Sequence, residues 1–168
     1  MVTFEDIKRN EDIKIYIETG NNVMGEMKYT EHGYAHAGIA SSIASSILNS
    51  LGYDARTCEL ASIAGYMHDI GNSINRHDHA QSGALMAFSL LNKLGMDQRE
   101  IALIVTAIGH HDEGTGDPVN PISAALIIAD KSDVRRSRVR DKADIALDIH
   151  DRVNFAVTGS KLDVLPRE

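Results

Sequence analysis

Apolar residues recur at intervals of three and four along most of the chain, the spacing that places them on one face of an α-helix. Two short helices are expected within residues 1–19, before a loop at 20–29. Longer helices are predicted in the stretches 30–52, 54–71, 79–95, 97–109 and 120–133, and a short one at 143–150. This succession predicts an all-α fold, in which helices pack as a bundle.

Residues typical of helix ends mark these boundaries. Thr3, Thr30, Asp54, Asp97 and Asn120 are predicted N-caps, because their side-chain oxygens can accept the free N–H groups of a first turn. Glycine readily adopts the left-handed turn that ends many helices. Gly52, Gly71 and Gly95 are the glycines predicted to do so here.

The spacing of apolar residues changes near the C-terminus. Val153, Phe155 and Val157 alternate with polar residues, and Thr158-Gly159-Ser160 separates them from a second apolar pair at 162 and 164. Alternation with a period of two indicates strands. We therefore predict a small β-hairpin at about 152–165, appended to a single domain whose core spans about 30–132.

Composition limits the classes of function. The chain has 168 residues and a formal net charge of -7, which argues against a nucleic-acid polymer as partner. Cys58 is the single cysteine and cannot form an internal disulfide. The sequence shows neither a secretory-type apolar run nor a membrane-spanning stretch, so a soluble, cytoplasmic protein is expected, as a monomer or a homo-oligomer.

The candidate chemistry lies at the helix ends. Eight histidines are present, and most are placed where a predicted helix begins or ends. Asp130 continues the apolar stripe of Ile122 and Leu126, an unusual position for an acid without a partner or a ligand. The candidate set is His32, His36, His68, Asp69, His79, His110, His111 and Asp130. Mixed imidazole and carboxylate ligands suit Fe, Mn, Zn, Ni or Co. Taken singly, each residue has a simpler reading as a solvated or capping side chain.

The order His36, His68-Asp69, Asp130 resembles the H, HD, D signature of the HD superfamily of metal-dependent phosphohydrolases. The segment YMHDIG, which contains His68 and Asp69, is similar to the central motif of that superfamily. EHGYAHAGIA resembles its first motif, and HAQSGA resembles its histidine followed four residues later by Gly-Ala. GHHDEGTGDP resembles the paired-histidine motif of members that hold two or more metals, including the HD-GYP subgroup. The subgroup has a lysine after HDIG and a DGxGYP run, where this chain has Asn72 and EGTGDP. These two departures weigh against cyclic-dinucleotide cleavage of the HD-GYP type.

The resemblance implies a binuclear centre of divalent transition-metal ions. The first ion would be held by His36, His68, Asp69 and Asp130, and the second by His79, His110 and His111, with Asp69 bridging. His32 would be an additional ligand, a histidine that orients one, or a surface histidine.

The implied reaction is hydrolysis of a small phosphorylated substrate, such as a nucleotide, by water activated on the metals. His68 and Asp69 would carry the catalysis, and Asp112 or Glu113 would relay a proton or remain solvated loop acids. Lys131, Arg135, Arg136 and Arg138 would either hold substrate phosphate or form a solvated basic run.

Three other functions remain open on the sequence. A phosphodiesterase would use the same centre on cyclic or linear phosphodiesters. An oxygenase would use two iron ions. A non-catalytic regulatory module would bind metal and ligand without turnover.

Overall fold

A computed structural model describes residues 1–141 and 149–165, with the backbone alone described at 149 and 150. Its α-helices are α1 (Phe4–Arg9), α2 (Glu11–Glu26), α3 (Tyr34–Ser50), α4 (Ala55–Met67), α5 (His79–Lys93), α6 (Gln98–Gly109), α7 (Pro121–Ser132) and α8 (Ile149–Ala156). Short 3₁₀ turns span Ile70–Ser73 and Arg136–Arg138. The all-helical class predicted from the sequence is confirmed.

Helix α4 lies at the centre of the bundle. It packs against α3, α6 and α7, while α5 packs against α6 and against the turn at Ile70–Ser73. The inward-facing residues of α4 are at most 3% exposed, namely Leu60, Ile63, Ala64 and Met67. Burial of such side chains is the main force that holds a helical bundle together, at roughly 1.5–3 kcal/mol for each large one. In the described part of the chain, no helix has both the length and the apolar character needed to cross a membrane.

Most predicted helix boundaries are confirmed. The carboxylate of Asp54 accepts the N–H groups of Arg56 and Thr57, and Asn120 forms a capping box with Ser123 at the start of α7. Gly52 and Gly95 adopt positive φ angles of 80° and 76°, as expected for residues that end helices.

Two predictions in the N-terminal third are wrong. The segment 20–29 is predicted to be a loop, but α2 continues to Glu26, so residues 20–26 are helical. A Cβ at Gly20 would lie 3.3 Å from the backbone nitrogen of Ser73, so this glycine allows close packing instead of breaking the helix. Thr30 is not an N-cap, because α3 begins at Tyr34 with Gly33 as its N-cap.

Gly71 does not adopt the left-handed conformation predicted for it, since the positive-φ glycines of the described chain are Gly52 and Gly95. The backbone of α5 passes directly over it. A Cβ at Gly71 would overlap the carbonyl oxygen of His79 and lie 2.5 Å from the nitrogen of Gly83. Glycine is required here for the contact between two backbone segments.

The predicted C-terminal β-hairpin is also wrong. The described residues contain no strand, and the stretch that includes Val153 and Phe155 belongs to α8. Asp151 and Asn154, three residues apart on one helical face, are 7% and 6% exposed, whereas Val153 is 47% exposed. Alternation over so few residues cannot outweigh the packing of α8 against the turn at Arg136–Arg138. The helix predicted at 143–150 falls largely outside the described residues.

Candidate metal centre

The ends of five helices bring imidazoles and carboxylates to one place. His36 lies in the first turn of α3, His68 and Asp69 follow α4, His79 begins α5, His111 follows α6, and Asp130 lies in the last turn of α7. Close backbone contacts make this convergence possible. A Cβ at Gly65 of α4 would lie 2.7 Å from the Cα of Ser41 in α3, so glycine lets these helices approach at the level of the site.

The first donor group consists of His36, His68, Asp130 and the Oδ2 atom of Asp69. The Nε2 atom of His36 lies 3.2 Å from that of His68, 3.2 Å from Asp130 Oδ1 and 3.5 Å from Asp69 Oδ2. The Nε2 atom of His68 lies 3.3 Å from Asp69 Oδ2. The Nε2 atoms of these two histidines thus lie within 3.6 Å of a carboxylate oxygen of both Asp69 and Asp130, a composition that suits a transition-metal ion.

The second donor group consists of His79, His111 and the Oδ1 atom of Asp69. The Nε2 atoms of the two histidines are 3.1 Å apart. They lie 3.5 Å and 3.8 Å, respectively, from Asp69 Oδ1. The carboxylate of Asp69 thus presents one oxygen to each group.

The Nδ1 atom of each histidine in these groups is engaged by an acceptor. His36 donates to Asp133 Oδ2 at 2.8 Å and His68 donates to the carbonyl of Gly65 at 2.8 Å. The corresponding acceptors of His79 and His111 are the carbonyls of Arg76 and Ile108, at 3.1 Å and 2.7 Å. Because each Nδ1 carries the hydrogen, each Nε2 of a neutral ring directs its lone pair into the cluster. Metal-ligating histidines are typically held in this way.

The electrostatics of the cluster favour a bound cation. Burial opposes protonation of His68, but the carboxylates of Asp69 and Asp130 outweigh this effect and raise its pKa to about 10. Burial also opposes ionisation of Asp69, yet the neighbouring His68 holds the pKa of Asp69 well below its usual range. Burial lowers the pKa of His111 to about 4 and lowers that of His79 as well. The ionised acids therefore lie beside the neutral rings of His79 and His111.

The residues present fit a divalent metal ion. The Oδ2 atom of Asp69 is buried and has no hydrogen-bond partner within the described chain. A buried, ionised oxygen costs several kcal/mol unless a cation meets it, and here that cation is either the protonated His68 ring, 3.3 Å away, or a bound metal ion. Two sets of donor atoms mutually within 4.8 Å satisfy the spacing of a metal site, namely His36, His68 and Asp130, and His68, Asp69 and His111.

The remaining predicted ligands lie beside the cluster. His32 packs its ring edge-on against that of His36, with 5.4 Å between ring centres, and donates from Nδ1 to the carbonyl of Thr30. Burial lowers its pKa to about 3. His110 accepts the N–H of Asp117 at its Nδ1, at 3.4 Å, and the structure does not bring it into either donor group.

A cavity of about 300 Å³ opens over the cluster. Its lining includes Asp69, His79 and Asp130 from the donor groups, together with Tyr29, Arg76, Glu113, Lys131 and Arg138. A volume of this size is at the lower end of the range for small-molecule sites. The centre is thus open to a small ligand from one side.

The four basic residues predicted to hold phosphate occupy different environments. Lys131 lines the cavity and pairs with Asp130 Oδ2 at 2.8 Å, and Arg138 lines it while donating to the backbone carbonyls of Glu31 and Asp133. Arg135 binds the carboxylates of Glu31 and Asp133 instead. Arg136 donates to the carbonyl of Phe155 and lies over its ring. Neither Arg135 nor Arg136 lines the cavity.

The two acids predicted as proton relays also differ in their position relative to the cavity. Glu113 lines the cavity, where its Oε2 lies 3.8 Å from Lys131 Nζ, and two thirds of its side chain (66%) is exposed. Asp112 does not line the cavity. Its backbone carbonyl accepts the N–H of Gly116 in the loop that follows α6.

The roles of two residues of this site were not predicted from the sequence. Asp133 orients His36, and its position three residues after Asp130 was the available signal. Arg76 lies in the short connection before α5, and its Nη1 atom is 3.1 Å from His79 Nε2. Nothing in the pattern of residues 73–78 indicates that this polar connection folds over the cluster.

Comparison with known proteins agrees with the geometry. The family model of the HD domain matches residues 29–153, so the chain belongs to the HD domain family. A solved structure, described as a predicted HD superfamily hydrolase from an uncultured Thermotogales bacterium, is 25% identical with a TM-score of 0.56. The match covers 78% of this chain and 73% of that one. No protein with a curated description matches significantly. The family and this neighbour support a metal-dependent hydrolase as the class of protein.

Proposed function

We propose that this protein is a phosphohydrolase that uses two divalent ions to cleave a nucleotide or another small phosphate ester. The observation that carries the proposal is the division of the Asp69 carboxylate between the two donor groups, with Oδ2 next to His36 and His68, and Oδ1 next to His79 and His111. Paired metal sites bridged by a carboxylate are typical of enzymes that hydrolyse phosphate esters.

The surroundings of the donor groups support an anionic, small substrate. Lys131, Arg76 and Arg138 all line the cavity, and the ammonium group of Lys131 is 2.8 Å from a carboxylate oxygen of the ligand Asp130. Cations beside a metal cluster attract and orient phosphoryl oxygens. The volume of about 300 Å³ accommodates a small ester better than a polymer.

Bound divalent ions would supply activation of water and stabilisation of negative charge on the phosphoryl group. The chain contributes the positioning. His36, His68 and His111 are held by their Nδ1 hydrogen bonds, and Lys131 orients the phosphoryl group from the cavity wall. Of the two acids after the paired histidines, Glu113 is the better placed to relay a proton, because it lines the cavity.

The test is a screen of phosphomonoesters and phosphodiesters with protein loaded with Mn²⁺, Co²⁺, Ni²⁺ or Zn²⁺, run beside Asp69→Asn. The matched control is Asp163→Asn, which changes an exposed acid paired with Lys161. We expect the Asp69 variant to lose at least about a hundredfold in kcat/KM, since even groups that only orient a ligand are worth 10–100-fold. The control should retain full activity.

The outcomes also separate the alternatives. Preference for diesters would replace our proposal with a phosphodiesterase. Consumption of oxygen by an iron-loaded form would indicate an oxygenase. Absence of turnover on every ester, with metal bound and the fold intact, would favour a regulatory module and contradict the proposal.

A further inference from the structure

The two donor groups differ in how far the protein itself satisfies their atoms. In the first donor group, Asp69 Oδ2 is buried and accepts no hydrogen bond of normal geometry in the described chain, its nearest ring nitrogen being Nε2 of His68 at 3.3 Å. In the second donor group, Asp69 Oδ1 accepts a hydrogen bond from the side-chain amide of Asn72 at 2.9 Å. A metal ion gains more at an atom that has no partner than at one whose existing hydrogen bond must be weakened or shared.

His79, another member of the second donor group, is engaged as well. Its Nδ1 faces the backbone carbonyl of Arg76 at 3.1 Å, and its Nε2 lies 3.1 Å from Nη1 of the same arginine. A guanidinium group only donates, so Nε2 must be the acceptor and Nδ1 must carry the hydrogen. Arg76 therefore uses the lone pair of His79 that an ion in the second donor group would need.

Arg76 is anchored in this position by two further contacts. Its Nη1 lies 3.5 Å from Asn72 Oδ1, so the amide of Asn72 connects Asp69 to the guanidinium. The guanidinium carbon lies 5.9 Å from the ring centre of Tyr29, on the wall of the cavity. The result is a cation supplied by the chain, directed at one ligand of the second ion.

We propose that Arg76 and the second metal ion compete for Nε2 of His79, so that the protein binds its two ions in a fixed order. The first donor group fills at low metal concentration. The second fills only when an ion displaces Arg76, whose guanidinium then remains in the cavity beside Tyr29, available to a phosphoryl group. This inference rests on the two-ion centre of the proposed function, but it concerns metal binding and not turnover.

The proposal is tested by calorimetric titration of the metal-free full chain with Mn²⁺ alone. We expect two separate steps in the unmodified protein, one tight and one weak. Arg76→Met removes the donor and keeps an apolar stem of similar shape. It should tighten the second step by roughly tenfold or more, the value of a hydrogen bond to a charged group, and leave the first step within about threefold.

Lys131→Met is the control for charge, because it also removes a cation that lines the cavity but not one that contacts His79. It should not tighten the second step by more than about threefold, which corresponds to a change below the cost of one hydrogen bond. Thermal melts of both metal-free variants verify that they fold. Appearance of a second ion only in Arg76→Met would also support the proposal.

Equal affinities for both ions in the unmodified protein would overturn the proposal. So would a second step that Arg76→Met leaves unchanged, or one that Lys131→Met tightens equally. Because no ester is present in the titration, failure to find a hydrolysed substrate would contradict the proposed function and leave the binding order standing.

Discussion

The Nδ1 atom of His36 lies 2.8 Å from Oδ2 of Asp133, and both side chains are buried. The other oxygen of Asp133 accepts a hydrogen bond from Arg135 Nε at 2.8 Å, and Arg135 in turn binds Glu31. The carboxylate is thereby fixed and fixes the imidazole, so that His36 Nε2 points into the first donor group. A carboxylate in this position also makes the ring a stronger ligand.

The first prediction follows from this contact. Asp133→Ala should weaken binding of the first ion by about 10–100-fold, the usual cost of losing the group that orients a ligating histidine. Asp133→Asn keeps an oxygen that can accept the same hydrogen bond, and should lose less. Titration with Mn²⁺ measures both, with Asp163→Ala as a surface control. If Asp133→Ala binds the ion as tightly as the unmodified protein, the orienting role is refuted.

The second prediction concerns protons. The pKa of His68 is raised to about 10, so without metal its ring is protonated at pH 7 and binding of the first ion must release that proton. Affinity should therefore rise with pH, by about tenfold per unit for one released proton between pH 6 and 8. His111 and His32, with pKa values of about 4 and 3, are neutral in this range and add no release.

Calorimetry at pH 7 in two buffers of different ionisation enthalpy counts the protons directly. About one proton per first ion is expected. A count of zero, with affinity that does not change between pH 6 and 8, would show that the ring of His68 is not protonated in the metal-free protein.

The third prediction compares two glycines. Gly71→Ala places a methyl group against the backbone of α5, and should lower the free energy of unfolding by 1–3 kcal/mol or more, because backbone cannot move aside like a flexible side chain. Gly38→Ala, inside α3 with open space around its Cα, should instead be neutral or stabilise by roughly 0.5–1 kcal/mol. Urea unfolding of the metal-free forms measures both. Equal effects would mean that α5 does not approach Gly71 as closely as described.

The sequence was sufficient for the helical class because periodic apolar faces and capping residues are local signals. Asp54 and Asn120 could be recognised from residue type alone. The errors occurred where contacts distant in sequence decided the structure. Gly20 stays helical because it packs on the turn at Ile70–Ser73, and the stretch 149–156 is helical although its apolar residues alternate.

The same distinction applies to the site. Residues that protrude from helix ends in a recognisable order, such as His36, His68 and Asp130, could be proposed from the sequence. Arg76 could not, because its role depends on the path of the short connection before α5. Of the paired histidines, the chain direction after α6 turns His111 into the cluster and His110 toward Asp117, which adjacent positions in a sequence do not reveal.

The most direct measurement of the central claim is a crystal structure of the metal-soaked protein with anomalous diffraction recorded at the absorption edge of the added ion. At low metal concentration, one peak should appear among His36, His68, Asp130 and Oδ2 of Asp69. At high concentration, a second should appear near His79 and His111, about 3.5–4 Å from the first. Peaks elsewhere, or no peak between these side chains, would contradict the account.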